Sequence, residues 1–269
     1  MTAKRDILLA SDKHALWCAA NVIYSITLNV KNPELYRVTL VYHGDQDEAH
    51  EALKEFEGTP VELRVSKGLN TFAHIPACVR RLTTPTFTRL ELSKHVPADC
   101  TRVLYLDVDT LVVNDIDELF TMPMETTVAV VRSRSHINHP NIIHNVFNAG
   151  VMVIDYTKWL ATNVEATYAK LMTAGVRSDE VTLNKVLSKD KTYISCAYNY
   201  RQCGLWCTLT EFAERELGDQ QHIKIVHFQG RRKPWHNTGQ ELDDLWRMYN
   251  DRAVDREKQE EMLTATLPT

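Results

Sequence analysis

The chain has 269 residues, of which 44% are hydrophobic and 25% charged, and its formal net charge at pH 7 is -4. This length and composition are those of a folded protein with a substantial core, and they exclude collagen-like and intrinsically disordered chains. The small negative charge gives no overall attraction to nucleic acid, so we expect no nucleic-acid partner.

No run of about 18 apolar residues is present, so we expect no membrane span. The first apolar run, Ile7–Ala10, is too short for the core of a signal peptide, which predicts a cytoplasmic protein. The six cysteines are scattered without C-x-x-C spacing, which predicts reduced thiols rather than a zinc site.

The N-terminal part of the chain alternates between two hydrophobic patterns. Short apolar runs predict strands, and helical spacing of apolar positions predicts helices between them. The predicted strands are Ile7–Ala10, Val38–Tyr42 and Val61–Val65, and the predicted helices are residues 15–29 and 46–56. The chain therefore opens as a β-α-β-α-β unit.

A helical segment at Arg89–His95 then precedes the apolar run Val103–Leu106, which predicts a central strand buried on both faces. A polar, histidine-rich stretch at 132–145 has the length of a functional loop. We predict one domain over residues 1–269, with about residues 237–269 as a C-terminal surface helix and tail. The other predicted elements are strands at Val128–Val131, Val151–Ile154 and Lys224–Phe228, and helices at 157–172, 179–188 and 240–262.

Asp107 and Asp109 stand directly after the predicted strand Val103–Leu106. Side chains two residues apart point to the same side of an extended chain. Ligands of open α/β sheets bind beyond the carboxyl ends of the strands, so both carboxylates would face a ligand crevice. A solvated turn is the alternative interpretation, and position alone does not decide between the two.

Two further Asp-x-Asp pairs have the same spacing but do not follow a buried strand. Asp45 and Asp47 flank one predicted helix start, and Asp115 and Asp117 precede another. Acids at these positions cap a helix and interact favourably with its dipole. We therefore predict structural roles for both pairs.

Four blocks of sequence occur in order along the chain: Leu104–Phe120, Phe147–Ile154, Asp179–Asn184 and Val226–Trp235. Together they resemble glycosyltransferase family 8, which includes glycogenins, galactinol synthases and bacterial lipooligosaccharide galactosyltransferases. The resemblance covers residues 7 to 236. It implies an α/β fold of GT-A type, a Rossmann-like nucleotide-sugar-binding fold with a mixed, mostly parallel central sheet.

The resemblance also implies a UDP-sugar donor, retention of anomeric configuration and a metal held by Asp107, Asp109 and His227. Two carboxylates and one imidazole suit Mn²⁺ better than an all-oxygen Mg²⁺ site, so we expect Mn²⁺, with Mg²⁺ as the alternative. Without the resemblance, His227 would be interpreted as a strand-end histidine satisfied by hydrogen bonds.

The resemblance further implies which residues contact the donor. Lys233 would place a cation on the leaving phosphate, and Gly230 would let the backbone approach the diphosphate. Arg89 has the alternative of a solvated helix cation, and Asn148 that of a turn residue. The implied donor-binding residues are Asp12, Arg89, Asp107, Val108, Asp109, Asn148, Gly230 and Lys233.

Two positions depart from the family. His14 stands at the usual tyrosine position after the first strand, so base stacking and a strict uridine preference are less secure. Glu180 stands where relatives commonly carry glutamine. We predict that Glu180, with Asp179 as the adjacent alternative, lies near the donor sugar and stabilises positive charge there. An ordinary acid in the first turn of a helix is the other interpretation.

The sequence thus predicts a retaining hexosyltransferase that moves glucose or galactose from a UDP-sugar to an external carbohydrate or other hydroxyl acceptor. Transfer to a tyrosine of the chain itself is disfavoured, because the corresponding segment, Cys207–Leu209, holds no tyrosine. A nucleotide-sugar hydrolase, a sugar nucleotidyltransferase and a non-catalytic nucleotide-sugar-binding protein are the alternatives. The sequence does not decide between a monomer and a homodimer.

Overall fold

The fold is known from a computed structural model. Most of the predicted loop at 132–145 and the segment Cys207–Leu209 lie outside the described residues. The structure describes residues 3–69, 71, 84–133, 146–173, 179–201, 222–230, 232–236, 238–239 and 242–265.

The described strands fall into two sheets. They are β1 Arg5–Asp12, β2 Tyr36–His43, β3 Glu62–Lys67, β4 Arg102–Leu106, β5 Thr110–Val112, β6 Val128–Arg132, β7 Phe147–Asp155, β8 Lys191–Tyr193, β9 Tyr200–Arg201 and β10 Ile225–His227. The main sheet has the order β3-β2-β1-β4-β7-β6-β8, and the second has the order β5-β10-β9. In the main sheet β7 alone runs antiparallel to its neighbours, which confirms a mixed, mostly parallel sheet.

Helices cover both faces of the main sheet. The α-helices are α1 Leu16–Asn29, α2 Gln46–Leu53, α3 Glu118–Thr121, α4 Tyr156–Ala161, α5 Val164–Thr173, α6 Asp179–Val186, α7 Asp243–Asn250 and α8 Arg256–Ala265. Short 3-10 helices include Thr84–Leu90, Leu92–Lys94, Cys196–Asn199 and Pro234–His236. Within the described part of the chain, none of the helices has the length and apolar character needed to span a bilayer.

The strand β4 is buried on both faces, as predicted. Leu104 and Leu106 pack into one hydrophobic cluster, and Val103 and Tyr105 pack into the cluster on the opposite face. Truncating a fully buried leucine such as Leu104 to alanine costs about 2–5 kcal/mol. This packing fixes the end of β4, from which the chain enters the functional site.

The order of connections changes direction at β1. From β1 the chain proceeds outward to β2 and β3, and it then returns to β4 on the other side of β1. Leu9 of β1 pairs with Leu106 of β4, so the carboxyl ends of the two strands lie side by side. Nucleotides bind at such a switch point in open α/β sheets.

Several predicted helices differ in the structure. The predicted helix 157–172 is two helices, α4 and α5, separated by Asn163, whose φ of 53° interrupts helical geometry. Arg89–His95 forms parts of two 3-10 helices instead of an α-helix. Neither change moves the strands of the main sheet.

The prediction of one C-terminal surface helix over residues 240–262 is wrong. Two helices, α7 and α8, are separated by Arg252, whose φ is 56°. Trp246 and Tyr249 of α7 are buried in a cluster with strands β5 and β10. The C-terminal segment therefore completes the core beneath the second sheet.

The two other Asp-x-Asp pairs have structural roles, as predicted, but the predicted capping holds for Asp45 and not for Asp117, whose side chain makes no capping hydrogen bond to α3. Asp45 caps α2 by accepting a hydrogen bond from the Asp47 N–H at 3.1 Å. Asp117 accepts hydrogen bonds at the opposite end of the sheet, from Tyr36 Oη at 2.6 Å and from the side chain of Asn32 at 3.2 Å. These carboxylates are thus distinguished from Asp107 and Asp109 by their partners.

Candidate active site

Main-chain pairing brings Asp107, Asp109 and His227 together. The Asp107 N–H donates to the Gly150 carbonyl at 2.8 Å, and the Phe228 N–H donates to the Asp109 carbonyl at 2.9 Å. The side chains offer two carboxylate oxygens and one imidazole nitrogen, all within 4.8 Å of one another. His227 Nε2 lies 3.2 Å from Asp109 Oδ1. The donor set is one that a divalent transition metal accepts.

Gly150 leaves the space between these ligands open. A Cβ atom at this position would overlap the His227 ring and lie 2.7 Å from Asp107 Oδ2. The backbone of Gly150 does not have the positive φ that requires glycine, unlike that of Gly230. Steric room for the site, rather than backbone conformation, therefore explains the glycine.

We expect Gly150→Ala to lower the affinity for a divalent metal by at least ~tenfold, because displacing Asp107 or His227 by about 1 Å is enough to disrupt a preorganised site. The backbone conformation tolerates alanine, so the melting temperature should change little. Isothermal titration with Mn²⁺ and thermal unfolding measure the two effects separately. Unchanged metal affinity would show that Asp107 and His227 do not converge at this point.

Arg89 is a buried cation that contacts Asp107 and the neighbouring residues of the site. Its guanidinium donates to Asp107 Oδ1 at 2.7 Å and to the Ala149 carbonyl at 2.6 Å, and it lies 3.5 Å from Asp179. Burial would lower the pKa of Arg89, but Asp107, Tyr105 and Asp179 outweigh it and raise the pKa. Arg89 is only 4% exposed, so the alternative of a solvated surface cation is wrong.

Lys233 contacts Asp109 on the other side of the site. Its ammonium forms an ion pair with Asp109 Oδ2 and donates to the Phe228 carbonyl at 2.9 Å. Burial would raise the pKa of Asp109, but the nearby His227 and Lys233 reverse the effect and hold that pKa well below its ordinary value. Asp109 is therefore ionised at neutral pH and available as an anionic ligand.

Glu180 is linked to His227 by two buried amides. Glu180 Oε2 accepts from Asn148 Nδ2 at 3.0 Å, and Asn148 Oδ1 accepts from Asn199 Nδ2 at 2.9 Å. Asn199 Oδ1 lies 2.9 Å from His227 Nδ1. Asn148 lies inside strand β7, so its turn interpretation is wrong. Both of its amide atoms bond within the protein.

Two residues of this site were not found in the sequence. Tyr105 donates its hydroxyl to Asp107 Oδ1 at 3.0 Å, and Asn199 contacts both His227 and Asn148. Tyr105 belongs to a buried apolar strand, which hides its polar end. Asn199 precedes the two-residue strand β9, whose pairing with β10 carries no local sequence signal.

A cleft of about 390 Å³ opens between these groups. Asp179, Glu180 and Arg89 lie at one end, and Asp12, His14 and Trp17 lie at the other, beyond the end of β1. Asp107, Val108, Asp109, Asn148, His227 and Lys233 also line the cleft. Gly230, with φ of 100°, is not among the described residues that line it.

Aromatic side chains form the wall near Lys233. The ring centroids of Trp17 and Trp235 are 5.0 Å apart in a T-shaped contact, and Trp17 is 39% exposed. The Trp17 indole N–H donates to the His14 carbonyl at 3.2 Å, which fixes the loop after β1. The cleft therefore combines an aromatic end, a charged centre and an acidic end.

The fold is of the GT-A type, as its likeness to solved glycosyltransferases shows. The galactosyltransferase LgtC in complex with donor and acceptor sugar analogs superposes with a TM-score of 0.75 at 18% identity, over 96% of this chain and 100% of that one. An active-site mutant of LgtC that carries glutamate in place of a glutamine has a TM-score of 0.78 over the same shares. GlyE of Streptococcus pneumoniae has a TM-score of 0.68 at 19% identity, over 98% of this chain and 64% of its own.

The chain belongs to glycosyl transferase family 8, whose sequence model matches residues 6–239. The glycosyltransferase GlyD of Streptococcus pneumoniae is 25% identical over 179 residues, which are 62% of this chain and 21% of GlyD. A probable galacturonosyltransferase-like protein of Arabidopsis thaliana is 24% identical over 73% of this chain and 61% of its own length. The lipopolysaccharide 1,3-galactosyltransferase of Salmonella typhimurium is 22% identical over 88% of this chain and 74% of its own.

This chain spans only part of several relatives. It covers 21%, 61% and 54% of the lengths of GlyD, the Arabidopsis protein and general stress protein A of Bacillus subtilis. Family membership therefore refers to the matched residues 6–239.

Proposed function

We propose that the protein transfers glucose or galactose from a UDP-sugar to an external hydroxyl acceptor, with retained anomeric configuration and with Mn²⁺ as its metal. The observation that supports this most directly is the convergence of Asp107, Asp109 and His227 in the same cleft as Lys233 and Glu180. Family membership supports a glycosyl transfer reaction, and the chemistry of each end of the cleft supports a nucleotide-sugar donor.

The centre of the cleft suits a diphosphate. Asp107, Asp109 and His227 would hold the metal, which when bound supplies Lewis-acid stabilisation of the charge that develops on the leaving diphosphate. Lys233 adds a cation that can exchange its ion pair with Asp109 for one with a phosphate oxygen. Both features stabilise negative charge on the leaving diphosphate. This charge develops in the transition state, so both would lower the barrier to transfer.

We expect Lys233→Ala to lower kcat by about tenfold and to change the acceptor KM little, because its charge is needed most as the diphosphate leaves. Steady-state kinetics with varied acceptor at saturating donor measure both constants. Arg232→Ala, at the exposed residue directly before Lys233 and outside the cleft lining, is the matched control and should transfer at the wild-type rate. A change confined to the acceptor KM would place Lys233 at the acceptor instead.

The end of the cleft beyond β1 suits the nucleoside. Asp12 Oδ1 accepts the His14 N–H at 2.9 Å, and the Asp12 carboxylate has further capacity to accept an N–H of uracil. Trp17 presents an exposed aromatic surface beside it, which can contact a planar base although the family's usual tyrosine is replaced by His14. This arrangement supports a UDP-sugar donor.

The acidic end suits the donor sugar. Asp179 is buried, and its burial raises its pKa against the opposing effect of Arg89. Glu180 accepts hydrogen bonds from Asn148 and lines the cleft. A carboxylate at this place can stabilise the positive charge of an oxocarbenium-like transition state or act as a nucleophile. We assign the first role to Glu180 and keep Asp179 as the adjacent alternative.

The test is a donor screen by nucleotide release with Mn²⁺, with and without a mixture of sugar acceptors. We expect UDP release from UDP-glucose or UDP-galactose to depend on the acceptor, and mass and NMR spectra to show a hexosylated product with the donor's anomeric configuration. Equal release without acceptor would identify a hydrolase. Binding of UDP-sugar without any turnover across the acceptors would favour a binding protein. Localisation and oligomeric state stay predictions.

A further inference from the structure

A directional chain of hydrogen bonds runs along the cleft wall from His227 through Asn199 and Asn148 to Glu180. Its members are buried: Asn199 is 1% exposed, His227 2% and Asn148 4%. The Gly150 N–H donates to Asn148 Oδ1 at 3.1 Å, so Asn148 presents its oxygen toward Gly150 and Asn199 and its NH₂ to Glu180. Asn199 therefore presents its NH₂ to Asn148 and its oxygen to His227.

This direction determines the tautomer of His227. Asn199 Oδ1 can only accept, so His227 Nδ1 carries the proton of the 2.9 Å hydrogen bond. Nε2, which lies 3.2 Å from Asp109 Oδ1, is then the ring nitrogen that can offer its lone pair to a metal. The second ring nitrogen of a metal-binding histidine is ordinarily held by an oxygen acceptor in this way.

We propose that Asn199 is a positioning residue that serves two groups at once: it holds His227 in the metal-binding tautomer, and through Asn148 it holds the Glu180 carboxylate at the sugar end of the cleft. The proposal rests on the metal role of His227 in the proposed function. It predicts that the two connections of Asn199 can be separated by substitution, because one uses its oxygen and the other its NH₂.

The substitution Asn199→Asp separates the connection to His227 from the connection to Asn148. A carboxylate keeps an oxygen for the His227 N–H but has no hydrogen for Asn148 Oδ1. Asn148 then either faces a carboxylate oxygen with its own oxygen or rotates and loses its bonds to Gly150 and Glu180, and both outcomes disturb the placement of Glu180. We expect Mn²⁺ affinity, measured with UDP by EPR of free Mn²⁺, to stay within about threefold of wild type, while sugar transfer falls at least ~tenfold. Asn199→Leu removes both connections, and Mn²⁺ affinity should fall ~10- to 100-fold.

Asn184→Asp is the matched control. Asn184 is also an amide that bonds within the protein: it accepts the Phe147 N–H at 2.8 Å and donates to the carbonyls of Phe147 and Glu180 at 2.9 Å, and it does not contact the His227 ring through these bonds. We expect its Mn²⁺ affinity to remain within about threefold of wild type. Equal losses of Mn²⁺ affinity in Asn199→Asp, Asn199→Leu and Asn184→Asp would show a general structural effect and overturn the proposal.

The tautomer itself is measured on the metal-free wild-type protein by ¹⁵N NMR of the imidazoles. The His227 signal is identified by its loss in His227→Gln. We expect Nδ1 to carry a proton, with or without a second proton on Nε2 that is shared with Asp109; a ring protonated on Nε2 alone overturns the proposal whether or not the variants fold. If wild type has the Nδ1–H form but binds neither Mn²⁺ nor UDP, the proposed function fails while the positioning of His227 by Asn199 stands.

Discussion

Asp107→Asn and Asp109→Asn should each lower sugar transfer at least ~100-fold, which is the usual effect of removing one stabiliser of developing charge. An amide oxygen is a weaker ligand than a carboxylate, and each substitution removes one negative charge from the metal site. Each also leaves a cation without its partner, Arg89 in the first variant and Lys233 in the second. Nucleotide release at saturating Mn²⁺ measures the loss.

The two variants should differ in stability. Arg89 is buried against Asp107, and an uncompensated buried charge destabilises a protein by about 3–5 kcal/mol. Asp179 remains 3.5 Å from Arg89 and offsets part of that loss. Lys233 is more exposed and can be solvated. Thermal unfolding should therefore show a lower melting temperature for Asp107→Asn than for Asp109→Asn.

The chain offers a matched control for these carboxylates. Asp47 belongs to an Asp-x-Asp pair of the same spacing, but it lies in the first turn of α2 and outside the cleft lining. Asp47→Asn should transfer at the wild-type rate. Full wild-type activity in excess EDTA would contradict the metal hypothesis, even if both aspartate variants were inactive.

The elements of the fold that could be predicted are those whose pattern of apolar residues in the sequence matches the faces that are buried in the structure. Val103–Leu106 is an uninterrupted apolar run because both of its faces are covered, and its end positions Asp107 and Asp109. The family resemblance then supplied His227, which no local pattern would have assigned to a metal. The sheet type and the metal-ligand cluster followed from these two sources.

The parts that could not be predicted depend on long-range contacts. The helix breaks at Asn163 and Arg252 use positive φ at residues other than glycine, so no glycine or proline marks them. Arg89 is a buried cation only because Asp107, Asp179 and the Ala149 carbonyl converge on it from distant segments. Asn199 likewise acquires its partners through the pairing of β9 with β10.

Glu180→Ala should lower transfer by about 100-fold, whereas Glu180→Gln should keep measurable activity, within about tenfold of wild type, and retain configuration. The carboxylate accepts from Asn148 Nδ2 at 3.0 Å and from the Ala149 N–H at 3.4 Å. A glutamine carbonyl can accept the same two bonds, so the amide keeps the side chain in place and loses only its charge. Alanine loses both the placement and the charge.

The alternative interpretation of Glu180 is an acid that stabilises helix α6 through its dipole, since it does lie in the first turn. Glu257 occupies the first turn of α8 away from the cleft, and Glu257→Ala is the matched control. If dipole stabilisation were the whole role of Glu180, both alanine variants would lower the melting temperature slightly and transfer at the wild-type rate.

Intact-mass spectrometry during turnover distinguishes the two chemical roles of Glu180. Charge stabilisation leaves the enzyme mass unchanged, because the acceptor hydroxyl attacks the donor directly. A nucleophilic Glu180 would form an ester to the anomeric carbon as the sugar–phosphate bond breaks, and the enzyme would gain the mass of one hexosyl group, a hexose less one water, until the acceptor displaced it. Glu180→Gln could not form that ester, so its retained activity would be incompatible with an obligatory covalent intermediate at this residue.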